Sequence, residues 1–237
     1  MSTNLMLILS TDTSTQAGSL AVLRDTRVIG EVSTWVDETY SSRMFRHLEF
    51  LLRELVLGLE QVDLYAVAAG PGSFTGLRVG LTAVKGWAEV YGKPIAAVSG
   101  LEAVAAQAHA AASLLVPILD ARRGQIYAGC FERRDALLRQ LGDEMVMTPD
   151  EFLDYLGGLA GERRVAFASP TPEVIGETLA RSKFRGSVIE SVSAVLAPII
   201  GQLGLARAQR GELVDALTLD ANYVRRSDAE LLWKGPS

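Results

Sequence analysis

Residues 70–80 read Gly70-Pro71-Gly72-Ser73-Phe74-Thr75-Gly76-Leu77-Arg78-Val79-Gly80, the segment of this chain best suited to chemistry. It follows a strand-like apolar run, residues 62–69, and opens a helical pattern over residues 75–91 with Leu77, Leu81, Val84, Ala88 and Tyr91 on one face. Free backbone N–H groups at such a helix start suit an anion. The spacing is not that of a P-loop, because no Gly-Lys-Ser/Thr follows. Nor is it the dinucleotide fingerprint, because the glycines are wrongly spaced and no acidic residue ends the next strand. Close packing is the competing reading, and these absences favour it. Gly76, Gly80 and Ala83 share one helical face and would let another backbone approach at the short end of the usual helix spacing.

Two acids stand at matching places. Asp12 follows a buried strand over residues 5–10, and Asp120 follows another over residues 114–119. Paired acids after related strands suit Mg²⁺ on a nucleotide, although a lone Asp at a strand end more often holds an Asx-turn. Arg122-Arg123-Gly124 comes next, where a phosphate-cradling hairpin needs small residues. Two long cations there suit an acidic partner or plain solvation. His47, His109 and Cys130 complete the inventory of metal ligands and strong nucleophiles. None is spaced for metal with another, so no metal is expected. Ser73 is not in a Gly-x-Ser-x-Gly elbow, and no good general base is in view.

The elements around these residues alternate. Strands over 5–10, 19–23 and 27–33 precede a helix over 41–57, whose Met44, Phe45, Leu48, Leu51, Leu52 and Leu55 form a stripe wider than one core face needs. The strand and helix flanking the glycine turn come next, then a strand over 95–98 and an alanine-rich helix over 102–112. Strand 114–119, strand 125–132 and an extended region over 137–147 then restart the order. A helix over 149–156, a strand over 165–168 and helices over 171–181 and 194–210 complete it. The expectation is two α/β lobes of related topology. Residues 1–100 form the first, completed by the 194–210 helix. Residues 101–193 form the second, smaller lobe, and residues 211–237 a tail.

Composition narrows the classes. The chain has 237 residues, 49% hydrophobic and 22% charged, which excludes collagen-like, coiled-coil and disordered chains. A single cysteine points to a reducing compartment. Net charge of −5 argues against a large nucleic-acid footprint of its own, because phosphate binding needs clustered Lys and Arg. No signal peptide or membrane span is expected, since the longest apolar stretch is broken by Gln107, His109 and Pro117.

The runs GPGSFTGLRVG, KPIAAVSGLEAVA, LDARRGQIYAG and NYVRRSDAE, in this order, resemble the TsaB (YeaZ) family over nearly the whole chain. Asp12, Gly70, Pro71, Gly72, Ser73, Phe74, Thr75, Gly76, Arg78, Asp120, Arg122 and Arg123 are the motif residues. The resemblance implies the actin/Hsp70/sugar-kinase (ASKHA) fold of two ribonuclease-H-like lobes. It implies a cytoplasmic protein needed to make N6-threonylcarbamoyladenosine beside the anticodon of tRNAs reading A-starting codons. In that family the catalytic subunit is the paralogue TsaD, which transfers threonylcarbamoyl from its AMP ester to the adenosine amine. The ATPase TsaE joins the pair, and tRNA is contacted only indirectly. The paralogue's His-x-x-x-His metal pair falls here on Gly100 and Val104, and its glycine-rich hairpin on Asp120-Ala121-Arg122-Arg123. A non-catalytic partner without a cofactor is therefore expected, with an ATP-using kinase-like enzyme or a metallopeptidase as alternatives. Met44, Phe45, Leu48, Leu52, Gly76, Gly80 and Ala83 are the candidate interface, as half of a four-helix bundle with TsaD or a homodimer in its absence. The chain departs from the family where Tyr40-Ser41 replaces His-Ser, and where Ala221 replaces a proline before Asn222-Tyr223.

Overall fold

The computed structural model describes residues 5–35, 40–134 and 137–224. Among them two mixed sheets face each other across a shared layer of helices. The first has strand order β3-β2-β1-β4-β5, from β1 (Leu7–Asp12), β2 (Ser19–Arg24), β3 (Arg27–Ser33), β4 (Leu64–Gly70) and β5 (Ile95–Ser99). β1 is buried throughout because it lies at the centre, antiparallel to β2 and parallel to β4. β3, the edge, is only partly covered. The second sheet runs β10-β7-β6-β11-β12, from β6 (Leu114–Arg122), β7 (Gln125–Ala128), β10 (Met145–Met147), β11 (Val165–Ser169) and β12 (Val188–Ser191). A hairpin of β8 (Phe131–Arg134) and β9 (Leu137–Gln140) branches from the start of β6.

The two orders are the same once this hairpin is set aside. In each sheet three antiparallel strands precede two parallel ones, and each parallel strand follows a helix. α1 (Met44–Leu55) and α2 (Phe74–Tyr91) serve the first, and α4 (Pro149–Ala160) and α5 (Glu173–Arg181) the second. α1 and α2 pack on one face of the first sheet through Met44, Leu48, Leu51, Leu77, Leu81 and Val84. α4 and α5 cover the outer face of the second through Phe152, Leu156, Ile175 and Leu179. α3 (Gly100–Gln107) and α6 (Ala197–Arg210) share the core that the sheets enclose, against Ala66, Val98, Leu115 and Ala166. α6 reaches back to the first sheet. A Cβ at Gly204 would lie 2.8 Å from Ala66 Cβ, so only glycine allows that approach. Ser19 Oγ accepts the Ala197 N–H at its N-terminus, 3.1 Å away.

Several sequence expectations shift, for local reasons. The 41–57 helix begins as a 3₁₀ turn, Tyr40–Ser42, and becomes α-helical at Met44. The expected 125–132 strand divides at Gly129, because β7 pairs with the end of β6 and β8 with its start. The extended region over 137–147 likewise becomes β9 and β10. α3 stops at Gln107 rather than at residue 112, and its continuation is bound elsewhere. The Glu190 carboxylate accepts the N–H groups of His109 and Ala110, and the Gln107 side chain bonds the Ser193 backbone. β12 escaped the sequence reading because it is short and half exposed, without alternation.

Candidate functional site

The ends of β1 and β6 open onto a cleft of about 960 Å³ between the sheets. Its walls are the β1–β2 hairpin, the start of α2, the β6–β7 hairpin, the start of α5 and the chain at Asn222–Val224, with Trp35 and Tyr40 at one end.

The glycine run builds one wall by contact with the first hairpin. A Cβ at Gly72 would lie 2.6 Å from Ser14 Cβ, and one at Gly76 or Gly80 would collide with Thr13. Thr13 Oγ1 donates to the Gly76 carbonyl at 2.6 Å, and the Ser73 N–H to the Ser14 carbonyl at 2.9 Å. Ser73 caps α2, its Oγ accepting the Gly76 N–H. Gly70 has φ 123°, and its Cβ would lie 2.5 Å from the Asn222 carbonyl oxygen. These glycines serve backbone approach.

Asp12 is wholly inaccessible and directed into its own turn. Oδ1 accepts the Ser14 N–H at 2.8 Å and its hydroxyl at 2.6 Å, while Oδ2 accepts Thr15 Oγ1 at 3.3 Å. Burial pushes its pKa up more than these bonds pull it down. Asp120 is partly exposed. It accepts the Arg122 N–H at 2.7 Å and pairs with the Arg122 guanidinium at 3.2 Å. Arg122 and Arg123 have φ of 64° and 55°, followed by Gly124 at 71°. This is a left-handed path that suits glycine or asparagine, so the hairpin holds its two cations at a conformational cost. Phe74, Arg78 and Tyr223 form a cluster at the lip. Arg78 lies 3.9 Å above the Phe74 ring, Tyr223 packs on Phe74 at 5.1 Å, and Arg78 Nε donates to Tyr223 Oη at 3.4 Å.

A sequence model described as TsaD, tRNA N6-adenosine threonylcarbamoyltransferase, matches residues 28–202. A Bacillus subtilis (strain 168) relative named tRNA threonylcarbamoyladenosine biosynthesis protein TsaB is 33% identical, the alignment covering 96% of this chain and 98% of that one. The chain belongs to the TsaB family. A solved structure of YeaZ from Pseudomonas aeruginosa superimposes with a TM-score of 0.75 at 26% identity, covering 92% of this chain and 100% of that one. A Listeria monocytogenes protein provisionally assigned as an N-acetylmannosamine kinase shares the fold alone, with a TM-score of 0.51 at 12% identity, covering 86% of this chain and 100% of that one. The fold of this TsaB-family chain is thus the actin/Hsp70/sugar-kinase fold.

Of the motif residues, Gly72, Ser73, Phe74, Thr75, Gly76, Asp120, Arg122 and Arg123 line the cleft, Asp12, Gly70 and Pro71 are buried and Arg78 stands against Phe74, whereas the interface candidates separate. Phe45 is 57% exposed on the outer side of α1, and Leu52 and Ala83 are partly exposed. Met44 and Leu48 are buried in the core beneath α1. The partner-facing reading of Gly76 and Gly80 is corrected: the stripe packs on Thr13 of the same chain, because α2 lies across the end of β1. Val90, 74% exposed at the far end of α2, belongs to the outer face and was not singled out from sequence. Gly100 and Val104 are buried in the helix layer. His47 Nδ1 lies 3.1 Å from Tyr40 Oη, while His109 is 93% exposed in its side chain. Among the described residues no three His, Cys, Asp or Glu side chains are grouped as a metal ion would need, and no helix is long and apolar enough to cross a membrane. Arg225 and Arg226 of the C-terminal motif lie outside the described residues.

Glu144 is the polar residue that sequence reading missed. It is 8% exposed, bonded to Ser99 and to Asn222. Nothing in the sequence marks it, because its partners lie 45 and 78 positions away.

Proposed function

We propose that this chain is the non-catalytic partner subunit in N6-threonylcarbamoyladenosine synthesis on tRNAs reading A-starting codons, and that it acts in the cytoplasm by binding and activating TsaD. Family membership supplies the pathway: the Bacillus subtilis relative carries threonylcarbamoyladenosine biosynthesis in its name. The observation that carries the partner role is the outer face of α1 and α2. These helices lie side by side on one sheet face, and they leave Phe45 and Val90 in solvent with Leu52 and Ala83 half covered. An aromatic in such a place anchors protein interfaces. TsaD, which shares the helix order, would present two equivalent helices to it, with TsaE joining the pair. A homodimer through the same face is the state expected without TsaD.

The cleft supports the absence of chemistry in the chain itself. A kinase-like reaction needs an acid that faces the phosphates and a hairpin whose backbone approaches them. Asp12 instead spends its oxygens on Ser14 and Thr15, and the matching hairpin carries Arg122 and Arg123. A metallopeptidase needs ligands where Gly100 and Val104 are packed. Residues 1–100 with 194–210 are proposed as one lobe, 101–193 as the other and 211–237 as a tail, whose described part, to Val224, crosses back over the first.

Reconstitution tests this. The purified chain alone should hydrolyse no ATP and form no modified adenosine, and the chain with TsaD and TsaE should form it from threonylcarbamoyl-AMP and tRNA. Modification or ATPase activity of the chain alone, abolished by Asp12→Ala or Asp120→Ala, would overturn the reading.

A further inference from the structure

After α6 the chain turns back across the first sheet as a strap. Val214 exchanges both backbone hydrogen bonds with Ile95, each 2.9 Å, at the start of β5. The strap then reaches the cleft, where the Asn222 N–H donates to the Ala69 carbonyl at 2.7 Å and Tyr223 packs on Phe74. Its link to the other sheet is Glu144, in the turn before β10. Oε2 accepts Asn222 Nδ2 at 2.6 Å, and Oε1 accepts the Ser99 hydroxyl at the end of β5. One buried carboxyl thus joins three segments far apart in sequence, one from the second sheet, one from the first and one from the strap.

The chemistry of this joint is unusual for a buried acid. Both donors are neutral, and the charged neighbour in its field is another acid, Glu102 on α3, itself paired with Arg207 of α6. Asp143, next to it in the chain, is exposed. A buried carboxylate without a cation is costly, but a neutral carboxyl is not, provided its hydroxyl finds an acceptor. Asn222 can supply one. With its amide turned, Oδ1 accepts the carboxyl proton while Oε1 keeps the Ser99 bond.

We propose that Glu144 is the keystone of a proton-operated latch, which when protonated clamps the C-terminal strap and the two sheets together at the cleft, and when ionised releases the strap. Its second function is mechanical. Asn222 is adjacent to Tyr223, which packs with Phe74 and Arg78 on the first turns of α2, so release of the strap frees the cleft lip and the start of α2 together. Burial, with Glu102 adding to it, raises the Glu144 pKa to about 7 against the opposing pull of the bonds donated by Ser99 and Asn222, so the switch falls in the physiological range. The sign follows from linkage. A carboxyl that holds its proton more tightly when latched favours the latched state below its ordinary range, and that advantage is lost as pH rises through about 7.

Hydrogen exchange of the strap, residues 212–224, tests this on the full-length chain between pH 5.5 and 8, corrected for intrinsic exchange. Wild type should open more as pH rises, on the order of tenfold over this interval, the size that the linkage gives. Glu144→Gln carries a fixed amide in place of the neutral acid and should hold the strap closed at both ends of the range. Asn222→Ala should leave it open at both. His47 is a second titratable group on the first sheet's helices, its pKa lowered by burial and by Arg43 and Arg46, so the step must persist in a His47→Gln background. Flat strap exchange in wild type overturns the proposal without any variant having to fold. So does a Glu144→Gln chain that folds and keeps the wild-type slope, or a step abolished by His47→Gln.

Discussion

The two hairpins that end in the cleft occupy equivalent positions in equivalent sheets and are built in opposite ways. After β1, Asp12 is sealed within its turn and the hairpin is clamped against α2 through Gly72, Gly76 and Gly80. At the end of β6, Asp120 remains partly in solvent, Arg122 and Arg123 occupy strained left-handed backbone, and a Cβ at Gly124 would meet nothing within 4 Å. One copy of the motif has become an internal joint, fixed by buried hydrogen bonds and close backbone contact. The other has remained a surface feature that spends stability on presenting charge. A shared topology therefore fixes where a strand-end acid stands, while its neighbours decide whether it serves chemistry, packing or contact.

Mutations at matched positions should break this comparison in order of size. Gly80→Arg should prevent folding of the first sheet and its helices, since even a Cβ there collides with Thr13 and a guanidinium has no outlet; far-UV circular dichroism and the soluble fraction check it. Asp12→Ala should cost about 3 kcal/mol in urea denaturation, because it strips the acceptor from buried Ser14 donors. Asp12→Asn, which keeps an acceptor, should cost less than half as much. At the second hairpin the sign reverses. Arg122→Gly should stabilise by about 0.5–1 kcal/mol by relieving the positive φ, read as a raised thermal midpoint. Asp120→Ala should cost no more than about 1 kcal/mol, since it removes a partly exposed ion pair and an acceptor for the Arg122 N–H that water can replace. An Asp120→Ala loss equal to that of Asp12→Ala would end the distinction.

Most of the element order was legible because the longer helices carry their own period, and the glycine turn because Gly-Pro-Gly has few other uses, whereas β12, short and without alternation, was not. The orientation of α2 was not. A helical wheel puts Gly76, Gly80 and Ala83 on one face, but only the sheet decides that Thr13 covers the first two and that Val90 looks outward. Phe45 was found in the stripe on α1, yet Met44 and Leu48 in the same stripe point inward, because the stripe wraps from core to surface. Glu144 was invisible, since its meaning lies in two partners that only the closed fold brings within reach.

The proposed TsaD-binding surface is the outer face of α1 and α2, and Phe45 is the residue to test. With 57% of its surface exposed, Phe45 can be exchanged at little cost to the fold. The decisive measurement is the affinity of Phe45→Asp for TsaD by titration calorimetry, alongside its thermal melt and the rate of adenosine modification. The expected result is a wild-type melt, binding weakened at least about tenfold, as when an aromatic anchor worth about 1.4 kcal/mol or more is lost, and a matching fall in modification. A folded Phe45→Asp chain that binds TsaD with wild-type affinity would contradict it.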